Sequence, residues 1–423
     1  MFVVSVGLGL TFQRRIADLE HRLLREGNSL ATDRFERPTH VTPADRGTLG
    51  ERARPHLRAL LLAGAESSGF SPLEHQYLGE ALRLQRPISQ VPQGWRDLLA
   101  RNEDALTGFL GATHAEAARG SPEVTKVLRI AGDLAALAVV ESLGTEKALT
   151  RCVDGLALAR DASFGGALSG RMASVGITDR LFLPCVRAID LAGKEQKKLA
   201  LVQLRMIRSA LPPFASTVKE EFISHSVQTL GGAMSQSCID ALPQSQRSDA
   251  LRTRAAAQQG EGLARWFSWG LMGHTWGAVT DVLDQIAAAQ VLPRAARKAR
   301  YESLADALAS SSNPLTAVAG PTLNYANFDK SDRQQRAQLE LLIHAAAIDL
   351  YSDGHGSWPE SLEALTPELL PAIARDPLSE KPLTYLSSAE LDVASLQAGA
   401  EKLFLVELTA PRNPPVIEAR HED

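Results

Sequence analysis

Residues 336–385, RAQLELLIHAAAIDLYSDGHGSWPESLEALTPELLPAIARDPLSEKPLTY, decide the fold class, because a helix, a turn and a docking segment follow one another within them. Leu339, Leu342, Ile343, Ala346 and Leu350 recur at three- and four-residue steps, which predicts a helix over 334–352 with one apolar stripe. Gly354 and Gly356 are expected to end it, since glycine tolerates the left-handed conformation after a helix and the Pro359 beyond cannot continue one. The helix is expected to pack against a small sheet that includes 382–386 and 402–408, with Trp358 covering the junction.

The order Tyr351, Gly356, Trp358, Pro359, then Asp376, Pro377, Pro382, Tyr385 resembles the C-terminal part of type II secretion pseudopilins. There an amphipathic helix ends in Tyr-x-x-x-x-Gly-x-Tyr-Pro, and a later Asp-Pro-x-x-x-x-Pro-x-x-Tyr element leads into a small sheet. Trp358 stands where pseudopilins usually carry tyrosine. The opening MFVVSVGLGLTFQRR has no prepilin-peptidase site, so the resemblance implies a tail fold and no secretion role. More of the chain, through LRIAGDLAALAVVESLGTEKALTRCVDGLALARD and the same tail, is similar to uncharacterised planctomycete and myxobacterial proteins. These join a membrane anchor to a long helical body. The closing PRNPPVIEARHED departs from the glycine- and aspartate-rich end of that group.

Outward from the tail, GLARWFSWGLMGHTWGAVTDVL holds Trp266, Trp269 and Trp276 at spacings of three and seven, one face if the segment is helical. That face is expected to be an inter-helix core, with an interaction surface for a protein partner or a membrane-interface contact as the alternatives. Helices are expected over 49–65, 72–84, 95–119, 122–143, 145–161, 178–191, 194–211, 214–230 and 293–310, separated by Gly, Pro and Ser. Short connections make neighbours antiparallel. The pair meeting at Gly144 looks like a tetratricopeptide-type hairpin, with Ala148, Leu156 and Ala159 at the close approach; no 34-residue period extends it.

The fold expected is therefore mainly α: an irregular antiparallel array with hairpins of this kind over 55–310, and a small α+β tail over 333–410. Residues 31–54 and 311–332 read as linkers and 411–423 as a disordered end. Residues 1–12 are almost wholly apolar, yet a helix of that length reaches only about 18 Å against a hydrocarbon core of roughly 30 Å. A transmembrane helix shortened by a misplaced start is expected, with an interfacial anchor and a buried soluble segment as alternatives. Ile16, Leu19, Leu23 and Leu30 then continue it as a short stalk, so that 1–30 form anchor and stalk.

The 423 residues leave room for one large and one small domain. Hydrophobic residues at 44% and charged ones at 22% match ordinary globular usage and exclude wholesale disorder. Aromatic residues are only 5%, so alanine and leucine carry the apolar content and favour helices. A formal net charge of -4 gives no electrostatic case for a nucleic-acid partner. Cys152, Cys185 and Cys238 are sparse, odd in number and without C-x-x-C spacing. They argue against a disulfide framework and a zinc site and are expected as small buried hydrophobes, with one pair joined in an oxidising compartment as the alternative.

No nucleotide-binding, zinc-protease or nucleophile-elbow motif occurs, and no cofactor is expected. Asp353 and His355 read as exposed capping groups rather than an acid/base pair, and Asp349 with Asp353 as a solvated helix end rather than a calcium site. Glu220 and Glu221 with His225 read as a polar face rather than half a metal site. The function expected is a non-enzymatic structural or protein-interaction role in the cell envelope. The chain is held to the cell membrane by its N-terminus, with its body in the periplasm or otherwise outside the cytoplasm. The alternative is a soluble or periplasmic hydrolase with its site in a cleft between helices.

Overall fold

Alanine and leucine at helical spacing turn most of the chain into helices. A computed structural model describes residues 53–83, 87–113, 122–164, 166–230, 234–242, 247, 250–255, 279–310, 325–388, 393–398 and 404–409, with isolated positions between 14 and 25. The helices are α1 (Arg54–Ser67), α2 (Pro72–Arg83), α3 (Gln93–Gly111), α4 (Pro122–Glu141), α5 (Lys147–Ala162), α6 (Ala167–Leu191), α7 (Lys194–Ser209), α8 (Phe214–Leu230), α9 (Gln236–Ala241), α10 (Arg294–Ala309) and α11 (Tyr325–His355). The mainly α expectation holds. Met1 to Phe12 and the three tryptophans at 266, 269 and 276 lie outside the described residues.

Helix α6 is the axle of the molecule, with α2, α4, α5, α8 and α11 packed around it. Two glycines let neighbours approach it: a Cβ on Gly132 of α4 would meet Ile177 at 2.9 Å, and one on Gly155 of α5 would meet Leu181 at 2.7 Å. The α4–α5 connection turns at Gly144, whose φ of +80° is the left-handed region that glycine enters freely. Helix α6 begins well before the expected 178, because Glu220 and Glu221 of α8 reach over and accept its first free N–H groups. The Ala167 N–H donates to Glu220 at 3.2 Å and the Leu168 N–H to Glu221 at 3.0 Å. These two carboxylates are thus a cap lent by another helix, neither a solvated face nor a metal site.

Cys152 of α5 and Cys185 of α6 form a disulfide with their Cα atoms 5.5 Å apart. This corrects the expectation of three unpaired cysteines. Their separation of 33 residues hides the fact that adjacent helices bring them face to face. Cys238 is free and buried, and burial pushes its thiol up to about 11.

Helix α11 also differs from expectation. It starts at Tyr325, inside the stretch read as a linker, and every residue from 337 to 350 is buried, so it is a central helix rather than a surface one with a single stripe. Most of its buried polar residues meet a partner across the helix interface, whereas His344 bonds the Glu340 carbonyl of its own helix at 2.8 Å and leaves its Nε2 without a partner. Arg171 of α6 holds Asp332, Gln335 donates to Ser174 at 2.7 Å and Thr178 at 2.8 Å, and Arg208 of α7 pairs with Glu340 at 2.8 Å. Gly354 lies within the helix, and Gly356 alone ends it, with φ +71° and its N–H bonded to the Ser352 carbonyl at 2.8 Å.

Three antiparallel strands follow in the order β1 (Thr384–Ser388), β2 (Val393–Ala398), β3 (Phe404–Thr409). The two expected strands are present, but β2 lies between them: Leu396 is opposite Tyr385 on one side and Val406 on the other. Leu396, Ala398, Val406 and Leu408 are buried at alternate positions, the face that the sheet turns inward, and β2 and β3 contact α11. A second, smaller core joins α8, α9, the helical residues 279–289 and α10. Positions expected in a free stalk are docked on it: Glu20 accepts from the Ser235 N–H at 2.6 Å, and the Arg22 guanidinium sits 4.0 Å over the Phe222 ring. No described helix is long and apolar enough to cross a membrane.

Candidate ligand-binding cleft

Helix α2 starts with a capping box that the sequence Ser-Pro-Leu-Glu dictates. The Ser71 hydroxyl accepts from the Glu74 N–H at 3.2 Å, the Glu74 carboxylate accepts from the Ser71 N–H at 2.9 Å, and Pro72 needs no partner. The Ser71 hydrogen bonds hold the Glu74 carboxyl below its ordinary value. So anchored, α2 presents His75, Gly79 and Arg83 on one side at successive turns. That side faces α4 and α6 across a cleft of about 520 Å³.

The opposite wall is the turn of α6 interrupted by Pro184. Proline has no N–H, so the Arg180 carbonyl loses its helical donor, and Arg180, Phe182, Leu183 and Pro184 all line the cleft. Asp133 of α4 lies at the base, only 5% exposed and paired with Arg180. Burial raises its carboxyl above the ordinary range, while Arg180 first, and then Arg129 and His75, pull it back. Gln338 of α11 donates to Asp179 at 3.0 Å and closes the far end. His75 points its Nε2 at the Ser67 carbonyl, 3.1 Å away, and packs edge-on against Trp95 at 5.4 Å between ring centres. The apolar floor comes from Leu78, Leu82 and Phe182.

A further polar cluster joins two helices rather than lining a cavity. The Lys197 ammonium of α7 lies 2.6 Å from Asp349 and 3.0 Å from Asp353, all three within or near the protein interior. The protein's own cation therefore occupies the space between the two carboxylates considered for calcium. Asp349 is 1% exposed and not a solvated helix end. His355 stacks on Tyr351 at 3.9 Å and bonds its carbonyl, so Asp353 and His355 face different partners. Among the described residues no group of three or more potential ligands could hold a metal ion.

The motif residues of the tail are brought together as a structural unit. Asp376 organises the loop to Pro382: its carboxylate accepts from the Leu378 N–H at 2.9 Å and the Ser379 N–H at 3.1 Å, and its own N–H donates to Lys381 at 2.8 Å. Pro377 follows it in the turn, and Arg375 and Pro382 form an isolated bridge. Tyr385 donates its hydroxyl to the Pro359 carbonyl at 2.9 Å, tying β1 to the turn after Gly356. Trp358 is half-buried against the main core, and its indole N–H has no partner in the protein.

Sequence reading had not singled out the cleft, since its residues come from four helices far apart in the chain. Two local signals mark it. Gly79 and Pro184 each sit inside a helix that would be more stable without them. Comparison with protein-family models, with curated proteins and with solved structures finds no match for this chain.

Proposed function

We propose that the chain is a non-enzymatic interaction protein of the cell envelope, held at the membrane through its N-terminal segment with its body outside the cytoplasm. In this reading the body is an irregular array with a tetratricopeptide-like hairpin at Gly144, and the tail is pseudopilin-like. The left-handed turn at Gly144 and the Gly356 and Asp376 turns support those two comparisons.

The observation that carries the interaction role is on α7. Leu199, Val202 and Met206 are 61%, 52% and 46% exposed and fall on one face at helical spacing, while Ala200, Leu201, Leu204 and Ile207 bury the other. An amphipathic helix needs one apolar face to dock on its own core; a second one is suited to a protein partner. The disulfide between α5 and α6 supports the compartment, because such bonds persist where thiols are not kept reduced.

A photocrosslinking residue at position 202, in cells that make the natural protein, is expected to yield a discrete higher-mass adduct in the membrane fraction. Absence of any adduct there refutes the interaction surface. Alkylation of Cys152 and Cys185 in intact cells without prior reduction refutes the compartment.

A further inference from the structure

The cleft between α2, α4 and α6 goes beyond a protein-interaction role, because it is concave, partly apolar and of small-molecule size. Its most telling residue is Gly79. Glycine inside a helix lowers stability by about 1 kcal/mol relative to alanine, and two other helical glycines have a packing reason for it. Gly132 and Gly155 leave room for Ile177 and Leu181. Gly79 has no such neighbour: a Cβ built on it meets no atom within 4 Å. What the missing side chain leaves open is the cleft itself.

The charges on the walls define the ligand. Three guanidinium groups, Arg83, Arg129 and Arg180, face two carboxylates, Asp133 and Asp179. Arg180 and Asp133 satisfy each other in a close pair, and Asp179 accepts from Gln338. Neither Arg83 nor Arg129 makes a close ion pair with another described residue, Arg129 acting on Asp133 only at longer range, and both are exposed. They lie above an apolar floor of Leu78, Leu82 and Phe182. A planar guanidinium grips a carboxylate or a phosphate through two parallel hydrogen bonds, and the floor takes an aliphatic chain.

We infer that this cleft binds an anionic amphiphile, a small molecule with a carboxylate or phosphate head held by Arg83 and Arg129 and an apolar chain lying between α2 and α6. The Arg180–Asp133 pair is the positioning element: it fills the base of the cleft with neutralised charge, so the head stays at the mouth.

Isothermal titration of the full chain with decanoate and with decyl phosphate, each below its aggregation concentration, tests this. Saturable binding of at least one is expected, and the two probes distinguish a carboxylate from a phosphate head. The R83Q/R129Q variant should weaken it by about tenfold or more, the effect of losing charge-assisted hydrogen bonds. Gly79→Leu should abolish it while the thermal midpoint does not fall, since the added side chain meets only the empty cleft. Decanol should bind far more weakly than either anion. No binding of both anions overturns the proposal, as does binding that is indifferent to the two arginines, to Gly79→Leu or to the head charge. These outcomes are read on the isolated chain, so they stand or fall separately from the crosslinking result in cells.

Discussion

Replacement of Asp349 by asparagine should change how stability depends on pH in a calculable way. Desolvation first, with Asp353 and Asp190 adding to it, raises the Asp349 carboxyl from 3.8 to about 6, against the pull of Lys197. An acid whose folded pKa is raised binds its proton more tightly when folded. Its contribution is therefore most favourable below 3.8 and is lost as pH rises through 6. Two units at about 1.4 kcal/mol each put the loss near 3 kcal/mol at neutral pH. Asparagine keeps the shape, cannot ionise, and leaves Lys197 with Asp353 at 3.0 Å. Urea unfolding of both proteins should show a wild-type-to-variant difference that moves by about 1.5 kcal/mol between roughly pH 5 and pH 7, in the direction that favours the variant at neutral pH. The amide's own interaction with Lys197 shifts the two curves by a constant and leaves that movement intact. A difference that stays constant with pH would refute the assignment of a raised carboxyl to this position.

Three other outcomes follow from the same structure. Cysteines 152 and 185 close a loop of 33 residues, and replacing both by alanine should lower stability by about 4 kcal/mol through the entropy regained by the unfolded chain; equal denaturation midpoints with and without reductant would remove the crosslink from the account. Gly170→Ala should destabilise by about 2 kcal/mol, because its Cβ would meet the Ala162 carbonyl oxygen at 2.6 Å, whereas Gly79→Ala should stabilise by up to about 1 kcal/mol; thermal unfolding that ranks the two in the opposite order contradicts the packing described. Trp358→Ala should cost about 2 kcal/mol, less than a fully buried ring because this one is half-exposed, and an unchanged melting curve would show that its contacts with the core hold nothing.

Much of the helical layout was legible because it is local. Helix α8 spans the expected 214–230, α2 and α4 begin at their expected prolines, and the Ser71–Glu74 box and Gly356 act within a few residues of themselves. Hydrophobic spacing and cap chemistry need no knowledge of the rest of the chain. Short, weakly alternating β2 was missed for the converse reason, since a strand is defined by the neighbours it pairs with.

What packing alone decided is where remote residues meet. Nothing local shows that Lys197 will sit between Asp349 and Asp353, that Glu220 and Glu221 will cap α6, or that Cys152 will reach Cys185. The burial of α11 on all sides belongs here too: its stripe suits a surface helix, and it becomes central when the sheet packs on it and α6 and α7 close over its polar residues with Arg171, Ser174, Thr178 and Arg208. The cleft is the extreme case. Its residues lie on helices that meet only after folding, and the sequence marks the place by a glycine and a proline that local helix energetics alone would not select.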